Sequence, residues 1–109
     1  MQFFVVVLTD HNMVKPILRK LKDNNYHGSV LSTRSIRQAL MESDEPLPYF
    51  GGLSKVVEGE EEVIRPMITS VVKDEEVEVL ASLVRDVVGK FDGNGFMYSL
   101  PINFIEGLK

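Results

Sequence analysis

The run Gly89-Lys90-Phe91-Asp92-Gly93-Asn94-Gly95-Phe96-Met97-Tyr98 joins the end of an amphipathic helical pattern to an apolar, strand-like stretch. Glycines on both sides of Asn94 let a loop turn several backbone N–H groups in one direction, which is how proteins cradle phosphates and other anions. Lys90 sets a cation beside that loop, although a lysine at a helix C-terminus also complements the helix dipole. Asn-Gly is equally an ordinary tight-turn signal. An anion cradle and a plain turn therefore compete for the same residues.

Other residues carry weaker signals. Arg34 and Arg37 are candidates for binding an anionic ligand; alternating with Ser35 and Ile36, they equally suit the solvated face of an edge strand. Tyr49 and Phe50, beside Gly51-Gly52, are candidate partner anchors because aromatic side chains carry interface energy, and they can equally fold back onto the body. The run Glu58-Gly59-Glu60-Glu61-Glu62 reads first as a solvated acidic segment. His11 and His27 are separated by a helix and lack the spacing of metal ligands, so no metal site is expected. No nucleophile has a base close to it in sequence, and no carboxylate pair is clearly set in a cleft, so no catalysis is expected.

Length and composition bound the alternatives. The chain has 109 residues, which fits one domain spanning 1–109. A net charge of −4 and a pI near 5.1 argue against general nucleic-acid binding, which needs a basic face. With no cysteine, neither a disulfide framework nor a thiolate site can form. The opening Met-Gln-Phe-Phe-Val-Val-Val-Leu is too short to span a bilayer and lacks the features of a secretory leader. It reads as a buried strand of a cytoplasmic protein that does not insert into membranes.

The positioning elements follow from hydrophobic periodicity. Phe3 to Leu8 is a continuous β-branched run, the mark of a central strand. Thr9 and Asp10 suit a cap for a helix whose apolar positions are Met13, Val14, Ile17, Leu18 and Leu21, with Pro16 in its first turn. A second strand starts near Ser29 and runs into Arg34, with an extension toward Leu40. A connection of roughly 20 residues, Met41 to Glu62, is dense in breakers and charge, and loops of that length tend to be functional. A third strand covers about Val63 to Val72. Lys73-Asp74-Glu75-Glu76 opens a second helix with the stripe Val77, Leu80, Ala81, Val84, Val87 and Val88, and the last strand runs from Phe96 to Ile102. The order β-α-β-β-α-β is the split βαβ arrangement of a ferredoxin-like α+β fold, with two helices on one face of a four-stranded antiparallel sheet. The free sheet face then needs a cover, and a homo-oligomer is the natural one.

Taken together, the chain resembles the P-II-like signalling superfamily. The apolar first strand, the helix closing on Tyr26-His27-Gly28-Ser29-Val30, the long connection, the helix opened by Lys73-Asp74-Glu75-Glu76-Val77 and the Gly89–Gly95 loop coincide in order, to about Ile102. The resemblance implies a homotrimer that binds a small effector, usually an adenine nucleotide, in clefts between subunits. It also implies that the long connection docks on a target protein such as a transporter or an enzyme. By this likeness Gly93, Asn94 and Gly95 match the phosphate-facing loop, led into by Gly89 and Lys90. Gly28 and Ser29 match the stretch near base and sugar, and Gln38 lies near the base of the long loop.

The chain departs from the family pattern at four places. Phe96 stands where the family has a lysine, and Asp92 is an inserted residue. Asn103-Phe104-Ile105-Glu106-Gly107 replaces a basic segment, and Ser35, Ile36 and Arg37 occupy a region of glycines. These changes shift the expectation toward a less charged ligand, a different one or none. Two alternatives stand beside it: a divalent-metal-associated trimer resembling the copper-tolerance proteins, and a ligand-free interaction module.

Overall fold

β1 (Gln2–Leu8) is the strand on which the protein is assembled. In the computed structural model, which describes residues 1–34, 36, 39–40 and 65–108, β1 is followed by a short 3-10 turn and α1 (Val14–Asp23). Then come β2 (Ser29–Thr33), β3 (Arg65–Val72), a second 3-10 turn, α2 (Val77–Val88) and β4 (Gly95–Pro101). The strands form one sheet in the order β2-β3-β1-β4, and each neighbouring pair is antiparallel. The protein is thus an α+β fold with a four-stranded antiparallel sheet and two helices. Among the described residues no helix is long and apolar enough to cross a membrane.

Side chains alternate across a strand, and here both resulting faces are apolar. Phe4, Val6 and Leu8 point to one face, where they meet Ile68 and Val72 of β3, Ile17 and Leu21 of α1, and Leu80, Ala81 and Val84 of α2 in a single buried cluster. Met13, Val14, Leu18, Val77, Val87 and Val88 complete the contact from the helices. The stripes expected from the helical periodicity are therefore the ones that face the sheet. An ion pair between Lys20 and Asp86 at 3.2 Å links the helices on their outer side; half-exposed pairs of this kind add little.

The opposite face carries Phe3, Val5 and Val7 of β1, in register with Leu100, Tyr98 and Phe96 of β4 and with Val71, Thr69 and Met67 of β3. Val5 and Val7 are buried, while Phe96, Tyr98, Leu100 and Leu31 stay 40–51% exposed. The rings of Phe96 and Tyr98 stack on this face, 5.9 Å apart at 19°. No helix of the described residues covers it.

Two expected boundaries need correction. β2 stops at Thr33, and Ile36, Ala39 and Leu40 are helical rather than extended. The segment from Arg34 onward offers good helix formers and an Ile36–Leu40 spacing of one helical turn, which outweighs the alternation read across Arg34 to Arg37. Arg34 accordingly lies past the end of the strand and not on its face. β4 begins one residue earlier than expected, at Gly95. The connection 41–62 lies outside the described residues, as do Ser35, Arg37, Gln38, Tyr49, Phe50 and the acidic run 58–62.

Leu80 is fully buried at the centre of the helix-side cluster. Leu80→Ala is expected to lower the unfolding free energy by about 3 kcal/mol, read as a lower urea midpoint at unchanged slope.

Candidate functional site

The glycine loop is built as a turn. α2 ends at Gly89, whose φ of +74° is open to glycine and whose N–H donates to the carbonyl of Arg85 at 2.7 Å. Phe91 then folds inward against the helix-side core. The N–H of Asn94 donates to the carbonyl of Phe91 at 2.6 Å, closing a four-residue turn with Asp92 and Gly93 at its centre. Their φ values of +44° and +89° are both positive, the type I′ signature. Asp92 is therefore half of the turn itself. Asp tolerates positive φ better than most residues with a Cβ.

This geometry accounts for much of the glycine pattern without a ligand. A Cβ on Gly95 would overlap the carbonyl oxygen of Val7, so the β1–β4 contact itself demands glycine there. Asn94 returns its carbonyl to the N–H of Thr9 at 3.0 Å, tying the loop to the start of the connection between β1 and α1. The N–H groups of Gly89 and Asn94 are thus already used. Lys90 and Gly93 are exposed, and Lys90 makes no ion pair among the described residues.

Gly28 and Ser29 lie on the far side of the sheet. Ser29 opens β2, paired with Thr69, whereas Gly95 opens β4, paired with Leu8. β2 and β4 are the two edges, three strand spacings or roughly 14 Å apart. Within one chain the structure does not bring these two groups of candidates together. Arg34 is exposed just beyond β2, at the same end of the sheet as the glycine loop but on the other edge. Arg65, which the sequence reading passed over, opens β3 at that end and is exposed. A basic first residue in a strand was the only signal for it.

Gly28 also has a steric cause, since a Cβ there would overlap the carbonyl oxygen of Thr69. The segment is pinned to β3 by the hydroxyl of Ser70, which donates to the carbonyl of His27 at 2.5 Å. Two cavities flank it. One of about 510 Å³ lies toward Met1, Lys73 and Glu76, and one of about 230 Å³ lies toward Leu18 and Leu21. Neither is lined by a residue of the glycine loop. Tyr26 borders both, and its phenol is held protonated above the usual tyrosine range. Burial is the main cause, followed by the charge of Glu76 and a hydrogen bond to that carboxylate. Among the described residues no cluster of His, Asp and Glu is arranged to hold a metal ion.

No protein-family model matches the chain, and no curated protein matches it.

Two consequences are measurable. Gly95→Ala is expected to destabilise by about 2–4 kcal/mol, because backbone must move, and Gly93→Ala by only about 1 kcal/mol; equal losses in denaturant unfolding would contradict the close β1–β4 approach. For Tyr26 the sign is fixed by the raised folded value. Its contribution is full below the ordinary tyrosine pKa of about 10 and is lost as pH rises through the higher folded value. Tyr26→Phe should cost about 1 kcal/mol at pH 7, and its urea midpoint should fall less than that of the parent between pH 9 and 11.

Proposed function

We propose that the chain is a P-II-like regulatory protein, a homotrimer without enzymatic activity. It senses a small effector in clefts between subunits and signals to a target protein, such as a transporter or an enzyme, through the connection 41–62. The antiparallel four-stranded sheet with both helices packed on one face supports a ferredoxin-like βαββαβ domain as part of this reading.

One observation carries the proposal. The glycine loop and the pair Gly28–Ser29 sit at opposite edges of the same sheet, with an exposed apolar face between them. Two halves of a site placed in this way meet only when the edge of one copy lies beside the opposite edge of another. Covering the face that bears Phe96, Tyr98 and Leu100 supplies the driving force, since exposed apolar surface of this kind marks interaction sites. In such a cleft Gly89, Lys90, Gly93 and Asn94 contribute from one subunit, with Gly95 as the strand's anchor. Gly28, Ser29, Arg34 and Arg37 contribute from its neighbour. The effector is an adenine nucleotide or a less charged small molecule, in keeping with Phe96 where a lysine would add charge.

A ligand-free interaction module is the second reading, favoured by the steric causes found for Gly28 and Gly95. One experiment separates the two. The protein should elute with a mass three times 12.3 kDa by light scattering. On that trimer ATP, ADP, AMP and cyclic di-AMP are screened by thermal shift, since a ligand of the folded state raises the melting temperature with concentration. The sensing reading expects at least one nucleotide shift, weakened by Lys90→Ala; Gly95→Ala is unsuitable because it disturbs β1. A trimer that responds to none of them supports the module instead, and a monomer removes the cleft altogether.

A further inference from the structure

The larger cavity beside Gly28 is lined by one protomer and shares Gly28 and Ser29 with the proposed subunit-boundary cleft. Its volume of about 510 Å³ falls within the range of small-molecule sites, roughly 300–1,000 Å³. Its walls are braced. Asn25 adopts φ +64° to bring the end of α1 around, Ser70 holds the carbonyl of His27, and Tyr26 binds the carboxylate of Glu76.

The charges on the lining have one cation and one anion left over. Lys73 precedes the 3-10 turn Asp74–Glu76 and Glu76 ends it, so the two stand three residues apart on the same wall. They do not bridge each other, and Lys73 makes no ion pair among the described residues. The nearby charge of Asp74 is engaged by the ammonium of Met1 at 3.0 Å. Tyr26 occupies one lone pair of the Glu76 carboxylate, which has about four, so acceptor capacity remains. Met1 and Leu108 supply an apolar border, and Ser29 also adjoins the space.

A plain anion would be repelled by Glu76 and a plain cation by Lys73. A molecule with both charges on neighbouring atoms satisfies both at once. We infer that this cavity binds a zwitterionic α-amino acid with an apolar side chain: its carboxylate on Lys73, its ammonium on Glu76, and its side chain against Met1 and Leu108. Its charged contacts, Lys73 and Glu76, lie outside the residues of the proposed nucleotide cleft, so loss of leucine binding in Lys73→Met and loss of a nucleotide shift in Lys90→Ala are distinguishable.

The test is a titration of the full chain with L-leucine and L-phenylalanine, followed by backbone amide shifts in NMR. Saturable shifts are expected at Ser29, Val72, Lys73 and Leu108, at one ligand per chain. 4-Methylpentanoate, which lacks the ammonium, and 3-methylbutylamine, which lacks the carboxylate, should each bind at least about tenfold more weakly than leucine, because a charge-assisted hydrogen bond is lost. Lys73→Met and Glu76→Gln should weaken leucine binding to the same degree, with glutamine still accepting from Tyr26. Should either variant unfold, the analogue series on the parent protein decides alone. Absence of saturation by about 10 mM, far above affinities of specific sites, would overturn the inference. So would analogues that bind as tightly as leucine, or shifts centred on Phe96, Tyr98 and Leu100.

Discussion

Everything in this structure depends on a central strand that is apolar on both sides. Phe4, Val6 and Leu8 need cover on one face, and Val5 and Val7 on the other. At roughly 25 cal/mol per Å² of buried apolar surface, leaving either face in water would remove much of what stabilises a chain of this length. The two amphipathic helices answer the first requirement, because their stripes have the right width and period to close over β1 and β3. Nothing among the described residues answers the second with a helix, and β4 instead places aromatic rings there. The strand that organises the fold thus also creates the surface most in need of a partner.

The same strand fixes where chemistry can occur. β1 ends at Leu8, opposite Gly95, and the chain turns away there through Thr9. The bond from the N–H of Thr9 to the carbonyl of Asn94 makes the two turns at this end of the sheet a single unit. At the other end, β3 runs out through Val72 into Lys73, and the end of α1 returns across it through Gly28. One end is a tight, self-satisfied turn; the other holds open space bordered by Lys73 and Glu76. Loops on a rigid scaffold are where binding groups collect, and here the two ends offer different kinds of surface.

Most of the fold was legible in the sequence because it rests on periodicity. The β-branched run at 3–8, the stripe Met13-Val14-Ile17-Leu18-Leu21 and the stripe from Val77 to Val88 each describe a face, and packing uses those faces directly. The segment after β2 was misread because Arg34, Ser35, Ile36 and Arg37 alternate for only four residues, too few to tell a strand from the start of a helix. The site was less legible. A glycine is the same letter whether it admits a phosphate, permits a positive φ or makes room for a neighbouring carbonyl, and only coordinates separate these causes. Lys73 and Glu76 were read as helix-opening residues, which they are. That they also border a cavity depends on Gly28 and Tyr26, more than forty positions away along the chain.

The steric causes of Gly28 and Gly95 bear on how function should be assigned. A glycine whose Cβ would strike backbone is required by the fold, so its presence carries little information about a ligand. Gly89 and Gly93 differ, since a Cβ on either would meet nothing within 4 Å. Their requirement is conformational only: Gly89, at φ +74° and ψ −114°, lies outside the left-handed helical region and needs glycine, whereas the positive φ of Gly93 is of the kind that Asp92 meets in the adjoining position. The weight of a nucleotide-sensing reading therefore rests on Lys90 and Gly93, in the exposed part of the loop, and not on the motif as a whole. That part projects from one edge of the sheet. On the proposed reading, a ligand that uses it together with β2 is held between chains, so that assembly would be a precondition of sensing and not an accompaniment to it.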